Sequence, residues 1–194
     1  MARIYTKAGD SGETTIGEGR CLRKDSPLID VLGELDELSS LMGVVRTLIS
    51  GQTLPELNQV YQDLRATQED LFHIGAILVG SDKGFALEQR TAWLERQVDV
   101  LSCELIDLGE FVFPMGHLIS VHLFLTRAVC RRAERSYTRF IYHSDRTEAA
   151  PLARKIGPYL NRLSDYLFVL ARWVNLKGNI KEEKWRLFKS SKNA

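Results

Sequence analysis

Ten residues, Thr126 to Arg135, carry four arginines against a single glutamate in a chain whose net charge is only +1. Guanidinium groups are planar, permanently charged and fork-shaped, which suits phosphates and carboxylates. Arg127, Arg131 and Arg135 recur at every fourth position, so on a helix they share one face. Arg127 and Arg131 each lie two positions from Val129. Their face therefore points well away from the apolar stripe predicted from Leu118, Val121, Leu125, Val129, Ala133 and Phe140. Such a face is either solvated or turned toward an anion. The second candidate is the stretch Thr6-Lys7-Ala8-Gly9-Asp10-Ser11-Gly12-Glu13-Thr14-Thr15, followed by Lys24. Its glycines let backbone amides point inward as an anion nest, and its hydroxyls and lysines add donors. On composition alone, a glycine-rich N-terminus is more often just a flexible end. Two elements of this kind suit a triphosphate better than a single phosphate.

Other chemistries lack their residues. No G-x-x-x-x-G-K-S/T and no G-x-G-x-x-G occurs, so P-loop and Rossmann readings lose support. The histidines, His73, His117, His122 and His143, form neither HExxH nor an i, i+4 pair, and no transition-metal site is expected. Asp70-Leu71-Phe72-His73-Ile74-Gly75 is a near miss to the D-x-H-x-x-G motif that supplies an axial histidine to cobalamin. Its spacing is wrong and it lies in an amphipathic helix, so His73 reads as a packing residue. Spacing supports no catalytic triad. Cys21, Cys103 and Cys130 show no CxxC pattern and read as reduced thiols of a cytoplasmic protein.

The elements that must position these residues are helices. At 194 residues, 44% hydrophobic and 26% charged, the chain is globular and long enough to bury a core. A pI near 7.7 argues against a nucleic-acid coat protein. No apolar run reaches the ~18 residues of a membrane span, and the amino terminus is no signal peptide. Proline and glycine divide the chain into a head and five helical windows. Residues 1–26 read as a loop or short extended segment. The first helix starts near Pro27 with Ser26 as its cap, and places Val31, Leu35, Leu38, Met42, Val45 and Ile49 inward. Its second stripe, Gly33, Asp36, Ser40, Gly43 and Thr47, fits either tight packing or the approach of another helix or a ligand. The second helix runs from Pro55 to about Gly80, with a turn at Asp82-Lys83-Gly84. The third spans about Leu87 to Leu108 and is closed by Gly109. The loop Glu110 to His117 holds Phe111 and Phe113, either a structural plug or an apolar wall for a planar ligand. The fourth is the arginine helix, followed by a polar connection over 141–150. The fifth spans about Pro151 to Leu176, with Asn161 and Asp165 off its core face. Residues from Gly178 read as a basic tail that frays. The expected fold is all-α: an antiparallel five-helix bundle with a four-helix-bundle-like core and a glycine-rich N-terminal loop. The expected division is 1–26 as the N-terminal loop, a candidate anion nest, 27–177 as the bundle and 178–194 as the tail.

Three ordered motifs resemble those of the trimeric, helical-bundle type of ATP:cob(I)alamin adenosyltransferase. They are Thr6 to Thr14 with Lys24-Asp25, Gly33-Glu34-Leu35-Asp36-Glu37-Leu38-Ser39-Ser40, and Arg127 to Arg135 joined by Tyr159-Leu160-Asn161-Arg162-Leu163-Ser164-Asp165. With Phe111-Val112-Phe113-Pro114 they span residues 3 to about 176. The resemblance implies a homotrimer with active sites between subunits. It implies that Thr6, Lys7, Ala8, Gly9, Thr14, Thr15 and Lys24 wrap ATP from the head. Arg131, Arg132, Ala133, Glu134, Arg135 and Asn161 would face ATP from the bundle. It further implies that Asp36 pairs with Arg127 across the interface, and that Phe111 sits beneath the corrin and keeps the lower axial ligand from cobalt. Asp36, Phe111, Arg127 and Arg131 would be the catalytic residues. ATP and cob(I)alamin would be substrates with Mg2+ present, and a cob(II)alamin reductase and an adenosylcobalamin-dependent enzyme would be partners. No protein metal site, nucleic acid or membrane is expected. His117 departs from the pattern, standing where the family usually has a second glycine. The competing readings are a non-catalytic nucleotide- or partner-binding bundle of the same family and, weaker, a nucleic-acid binder.

Overall fold

The computed structural model describes residues 5, 7, 9–52, 54–81, 84–143 and 152–185. A hairpin, β1 (Glu13–Ile16) and β2 (Arg20–Arg23), precedes α1 (Pro27–Ser50), α2 (Glu56–Val79), α3 (Leu87–Ser102), α4 (Leu118–His143) and α5 (Ile156–Lys177). The expected polar connection lies, from 144 to 150, outside the described residues. So do the expected start of α5 at Pro151, the Asp82-Lys83 part of the turn and the tail beyond 185.

Side-chain bonds fix the helix directions. Ser120 of α4 donates to the Ala171 carbonyl of α5, while Cys130, ten residues on, reaches Leu160. Advance on one helix matches retreat on the other, so the pair is antiparallel. The same holds for α2 and α5, where Tyr159 bonds to Asp70 and Tyr166 to Asp63. Consecutive helices alternate in direction, which leaves α3 parallel to the α5 it packs on: Glu88 pairs with Lys155 and Glu95 with Arg162. The core runs through all five helices, with Val31, Leu38, Met42, Leu64, Ile74, Leu94, Leu123, Leu160 and Leu167 at 0% exposure or nearly so. Asp70 is buried in it, gripped by Arg90 Nε at 2.8 Å to both carboxylate oxygens and by the Tyr159 hydroxyl at 2.7 Å. These bonds tie α2, α3 and α5 together where an unpaired charge would be costly.

Five expectations change. The head contains a two-stranded hairpin, Glu13 paired with Arg23 through Ile16 with Arg20, turned by a 3-10 segment at Gly17–Gly19. Its alternation places Ile16 and Leu22 against the core, a period-2 signal that four-residue strands keep short. Ser26 occupies the cap position of α1, but its hydroxyl makes no cap bond. The third helix stops at Ser102 rather than Leu108, because α5 holds the chain beyond it. Glu104 takes the Trp173 indole and Lys177, and Arg172 takes the Ile106 carbonyl. On the first half of α4 the core residues are Ile119, Leu123 and Phe124, while Leu118, Val121 and Leu125 are 57, 37 and 50% exposed. The tail does not fray at Gly178. Residues to Trp185 return along the 111–113 loop, anchored by Glu182 on the buried Arg172.

Candidate active site

The arginine helix opens a groove of about 450 Å³ lined by Arg131, Glu134, Arg135, Thr138, Arg139 and Tyr142. Helical spacing puts these residues on one face, and Val129, Cys130, Ala133 and Tyr137 hold the other in the core. Arg135 Nη1 donates to the Arg131 carbonyl at 3.0 Å, which folds it along its own helix. Asn161 of α5 joins from the side, its Nδ2 donating to Glu134 Oε1 at 3.3 Å, while its Oδ1 accepts from Arg162 at 2.9 Å. Ala133 is fully buried, so its methyl group faces the core and not the groove. Arg132 turns toward α1, with Nε on Glu34 at 2.6 Å and Nη2 on Glu37. These two carboxylates hold its guanidinium proton still more firmly than usual. Cys130 lies against the Leu160 carbonyl, its thiol pushed up by burial and closed to redox chemistry as a thiolate.

Arg127 sits apart from Arg132, its guanidinium 5.1 Å from the centroid of Phe168 on α5. Burial, and then the neighbouring charge of Arg131, lower its pKa, while Asp165 opposes them. Asp36 lines a different groove, about 300 Å³ between α1 and α2, walled by Leu32, Leu35, Leu71, Phe72 and Gly75. Phe72 is 73% exposed there.

In the head, Lys24 Nζ donates to the Gly9 carbonyl at 2.8 Å, and the Lys24 amide donates to Gly12 at 2.8 Å. The loop is thereby closed on its own lysine. A methyl group at Gly9 would come within 3.2 Å of Lys24 Nζ and of the Glu13 carbonyl. Lys7 adopts a left-handed backbone, φ 61, and accepts from the Asp10 amide. Thr14 and Thr15 fall on opposite faces of β1, Thr14 toward the bundle and Thr15 exposed. Thr6 and Ala8 lie outside the described residues. The hairpin turn rests on the end of α2, where Gly17 meets Ser81 and Val79. None of the described head residues lines the arginine groove.

Phe111 is 78% exposed, with Trp185 edge-on at 6.2 Å. Its loop is clamped at the other end by Asn175, which is 2% exposed. Asn175 Nδ2 donates to the Met115 carbonyl and its Oδ1 accepts from the His117 amide, both at 2.9 Å. Gly116, at φ 127, passes so close that an added methyl would lie 2.1 Å from Asn175 Oδ1. His117 caps α4, its Nδ1 accepting from the Ile119 amide at 3.2 Å. His73 stacks on Phe85 at 4.2 Å, in keeping with a packing role. Sequence reasoning did not single out Arg172, Asn175, Glu182 or Trp185. The signal was there for two of them: Arg172 and Asn175 are polar residues set into an apolar helix face.

One chain thus gathers Arg131, Glu134, Arg135 and Asn161, while Asp36, Phe111 and the described residues of the head line none of that groove. Among the described residues no group of three or more histidines, cysteines, aspartates or glutamates is arranged to hold a metal ion.

The family model described as cobalamin adenosyltransferase matches residues 4–174. Corrinoid adenosyltransferase of Bacillus subtilis (strain 168) is 34% identical, over 92% of this chain and 89% of that one. Human corrinoid adenosyltransferase is 34% identical, over 94% of this chain and 73% of its own. Among solved structures, a variant PduO-type ATP:corrinoid adenosyltransferase from Lactobacillus reuteri, complexed with cobalamin and ATP, superposes with a TM-score of 0.83. It is 28% identical and covers 95% of this chain and 97% of that one.

Proposed function

Because this chain belongs to the cobalamin adenosyltransferase family, we propose that it is an ATP:corrinoid adenosyltransferase, moving the 5′-deoxyadenosyl group of ATP to the Co(I) of cobalamin. The observation that carries the reading at residue level is the groove of Arg131, Glu134 and Arg135 with Asn161 beside it. Cobalt supplies the electron pair for a new cobalt–carbon bond to C5′. The C5′–oxygen bond breaks, and its electron pair leaves with triphosphate. No proton moves at carbon, so no general base is needed. The demand on the protein is to hold the charge that grows on the leaving group. Arg131 and Arg135 supply it from α4, and Lys7 and Lys24 from the head, acting where preorganised cations stabilise the transition state most. Arg132 fixes the groove through Glu34 and Glu37. Thr6, Ala8, Gly9, Thr14 and Thr15 complete the ATP contacts from the head. Magnesium is commonly held by one or two carboxylates together with substrate phosphates and water, so it requires no cluster of protein ligands. Magnesium in this reading is the counter-ion that ATP brings, and no step is assigned to it.

The described residues of the head do not line the arginine groove of their own chain, which supports a homotrimer in which a neighbour completes the site. Leu118, Val121 and Leu125 on α4, and the Asp36 groove, are the apolar surfaces such a neighbour would cover. Phe111 stands beneath the corrin and excludes the lower axial ligand, which eases reduction of Co(II) by a partner reductase. An adenosylcobalamin-dependent enzyme then takes the product. Among the described residues no helix is long and apolar enough to cross a membrane, and the cytoplasm is the proposed location. The non-catalytic alternative rested on His117, whose place is accounted for as the cap of α4.

The test is incubation with ATP, magnesium and chemically reduced cobalamin. The adenosylcobalamin spectrum should grow in step with released triphosphate. Binding of both substrates without that spectrum would leave the non-catalytic reading standing.

A further inference from the structure

Arg172 is a cation on the core side of α5, 6% exposed, and its bonds lead to two segments, the connection before α4 and the chain that follows α5. Nε donates to Glu182 Oε1 at 2.7 Å, and Nη2 donates to Glu182 Oε2 at 3.0 Å and to the Ile106 carbonyl at 2.8 Å. A buried ion pair is a poor source of stability compared with apolar packing, because both charges lose water. A two-pronged pair, by contrast, fixes geometry well. Its geometry is passed on at once. Glu183, next to Glu182, accepts from the Phe113 amide at 2.9 Å, and the Trp185 amide donates to the Phe111 carbonyl at 2.7 Å. Val112 and Lys184 face one another between them as an antiparallel bridge. Ile106, the other end of the guanidinium, lies five residues before Phe111 in the same connection. Phe111 is 78% exposed, so core packing does not position it. The short backbone pairing with 183–185 does.

We propose that Arg172 is a positioning residue for Phe111. By fixing Glu182 it sets the register of residues 183–185 against Phe111–Phe113, and hence where the Phe111 ring stands against a bound corrinoid. Arg172 touches no substrate and acts through Glu182. The proposal rests on the reading of Phe111 as the group beneath the corrin.

The experiment compares Glu182→Gln, Arg172→Lys and Phe111→Ala in the full chain. Each is assayed from chemically reduced Co(I) and from Co(II) with a reductant, and the Co(II) spectrum is recorded with ATP bound. For Glu182→Gln the Co(I) rate should stay within about twofold, while the Co(II) rate falls about 10- to 100-fold, the scale set by small misplacements of a catalytic group. The ATP-dependent signature of cobalt without its lower ligand should fall with it. Arg172→Lys, which keeps the charge but loses the fork, should be intermediate. The double variant Phe111→Ala with Glu182→Gln should be no worse than Phe111→Ala alone. Equal losses from Co(I) and Co(II), or an unchanged spectrum and rate in Glu182→Gln, overturn the proposal. If Phe111→Ala itself lowers both rates equally, the reading of Phe111 falls and the proposal with it. If Phe111→Ala separates the two rates and Glu182→Gln does not, only the role of Arg172 is lost.

Discussion

Asp36 and Arg127 stand on helices that pack together, yet they face different neighbours. Asp36 opens into the groove between α1 and α2, and Arg127 lies over Phe168 of α5. The proposed pairing of the two would therefore have to form between copies of the chain. Asp36→Asn and Arg127→Ala should each weaken assembly or corrinoid use, and a double-mutant cycle on assembly should return a coupling of about 1 kcal/mol. Additive effects, measured by sedimentation over a dilution series, would remove the pairing.

Arg131 and Arg132 are adjacent in sequence and differ in what they touch. Arg131 lines the groove, and Arg132 is held by Glu34 and Glu37. Arg131→Ala should cost about 10²–10³ in turnover, the usual cost of one transition-state donor, with the oligomer intact. Arg132→Ala should also lower the melting temperature, since it frees two carboxylates on α1. Thermal melts and steady-state rates on both variants separate the two roles. An active Arg131→Ala enzyme would contradict the assignment of the groove.

The physics of the sequence explains what was legible in it. Apolar residues at helical spacing marked α1, α2 and α5, and Gly80 closed α2 in a left-handed conformation as a helix-ending glycine does. On α4 the same period was ambiguous, because Leu118, Val121 and Leu125 and the buried Ile119, Leu123 and Phe124 are both apolar sets. Periodicity says that a face is apolar, not whether its own core covers it. Arg131, Glu134, Arg135 and Asn161 stand together because their spacing is local to two packed helices, whereas Arg132 turns to α1 and Ala133 to the core. The support of Phe111 was not legible. Arg172 to Glu182 and Phe111 to Trp185 are tertiary contacts made by a tail whose composition reads as solvent-exposed.

His117 and Gly116 make opposite demands on the loop that enters α4. His117→Gly removes the side-chain cap on the Ile119 amide but keeps the backbone bond to Asn175, and glycine is itself tolerated at a cap, so it should cost only a few tenths of a kcal/mol and leave corrinoid use unchanged. Gly116→Ala combines φ 127 with a methyl 2.1 Å from Asn175 Oδ1, so the clamp must open. With two buried bonds of Asn175 disturbed, a loss of about 2 kcal/mol or more is expected in denaturant titrations. A Gly116→Ala variant as stable as the parent would mean that Asn175 does not hold the loop.

Asp63 gives the fold a pH dependence of definite sign. It accepts from Gln59 Nε2 at 2.8 Å and from the Tyr166 hydroxyl at 3.4 Å. Burial nevertheless raises its pKa, outweighing both bonds and the charge of Arg90. Asp70 is raised by burial in the same way, against Tyr159 and Arg90. Tyr166 is pushed well above its ordinary value by burial and by Asp63, so it remains a donor throughout. A carboxyl that holds its proton more tightly folded than unfolded favours the folded state at low pH. As pH climbs from about 4, the unfolded chain ionises first and stability falls, until the folded carboxyl ionises as well and the loss is complete. Asp63→Asn keeps an acceptor for Tyr166 and removes the titration. Its melting temperature should therefore gain on that of the parent as pH rises through this window and hold the gain at pH 7. A parent that instead gains on Asp63→Asn with rising pH would show that the bonds from Gln59 and Tyr166 outweigh burial.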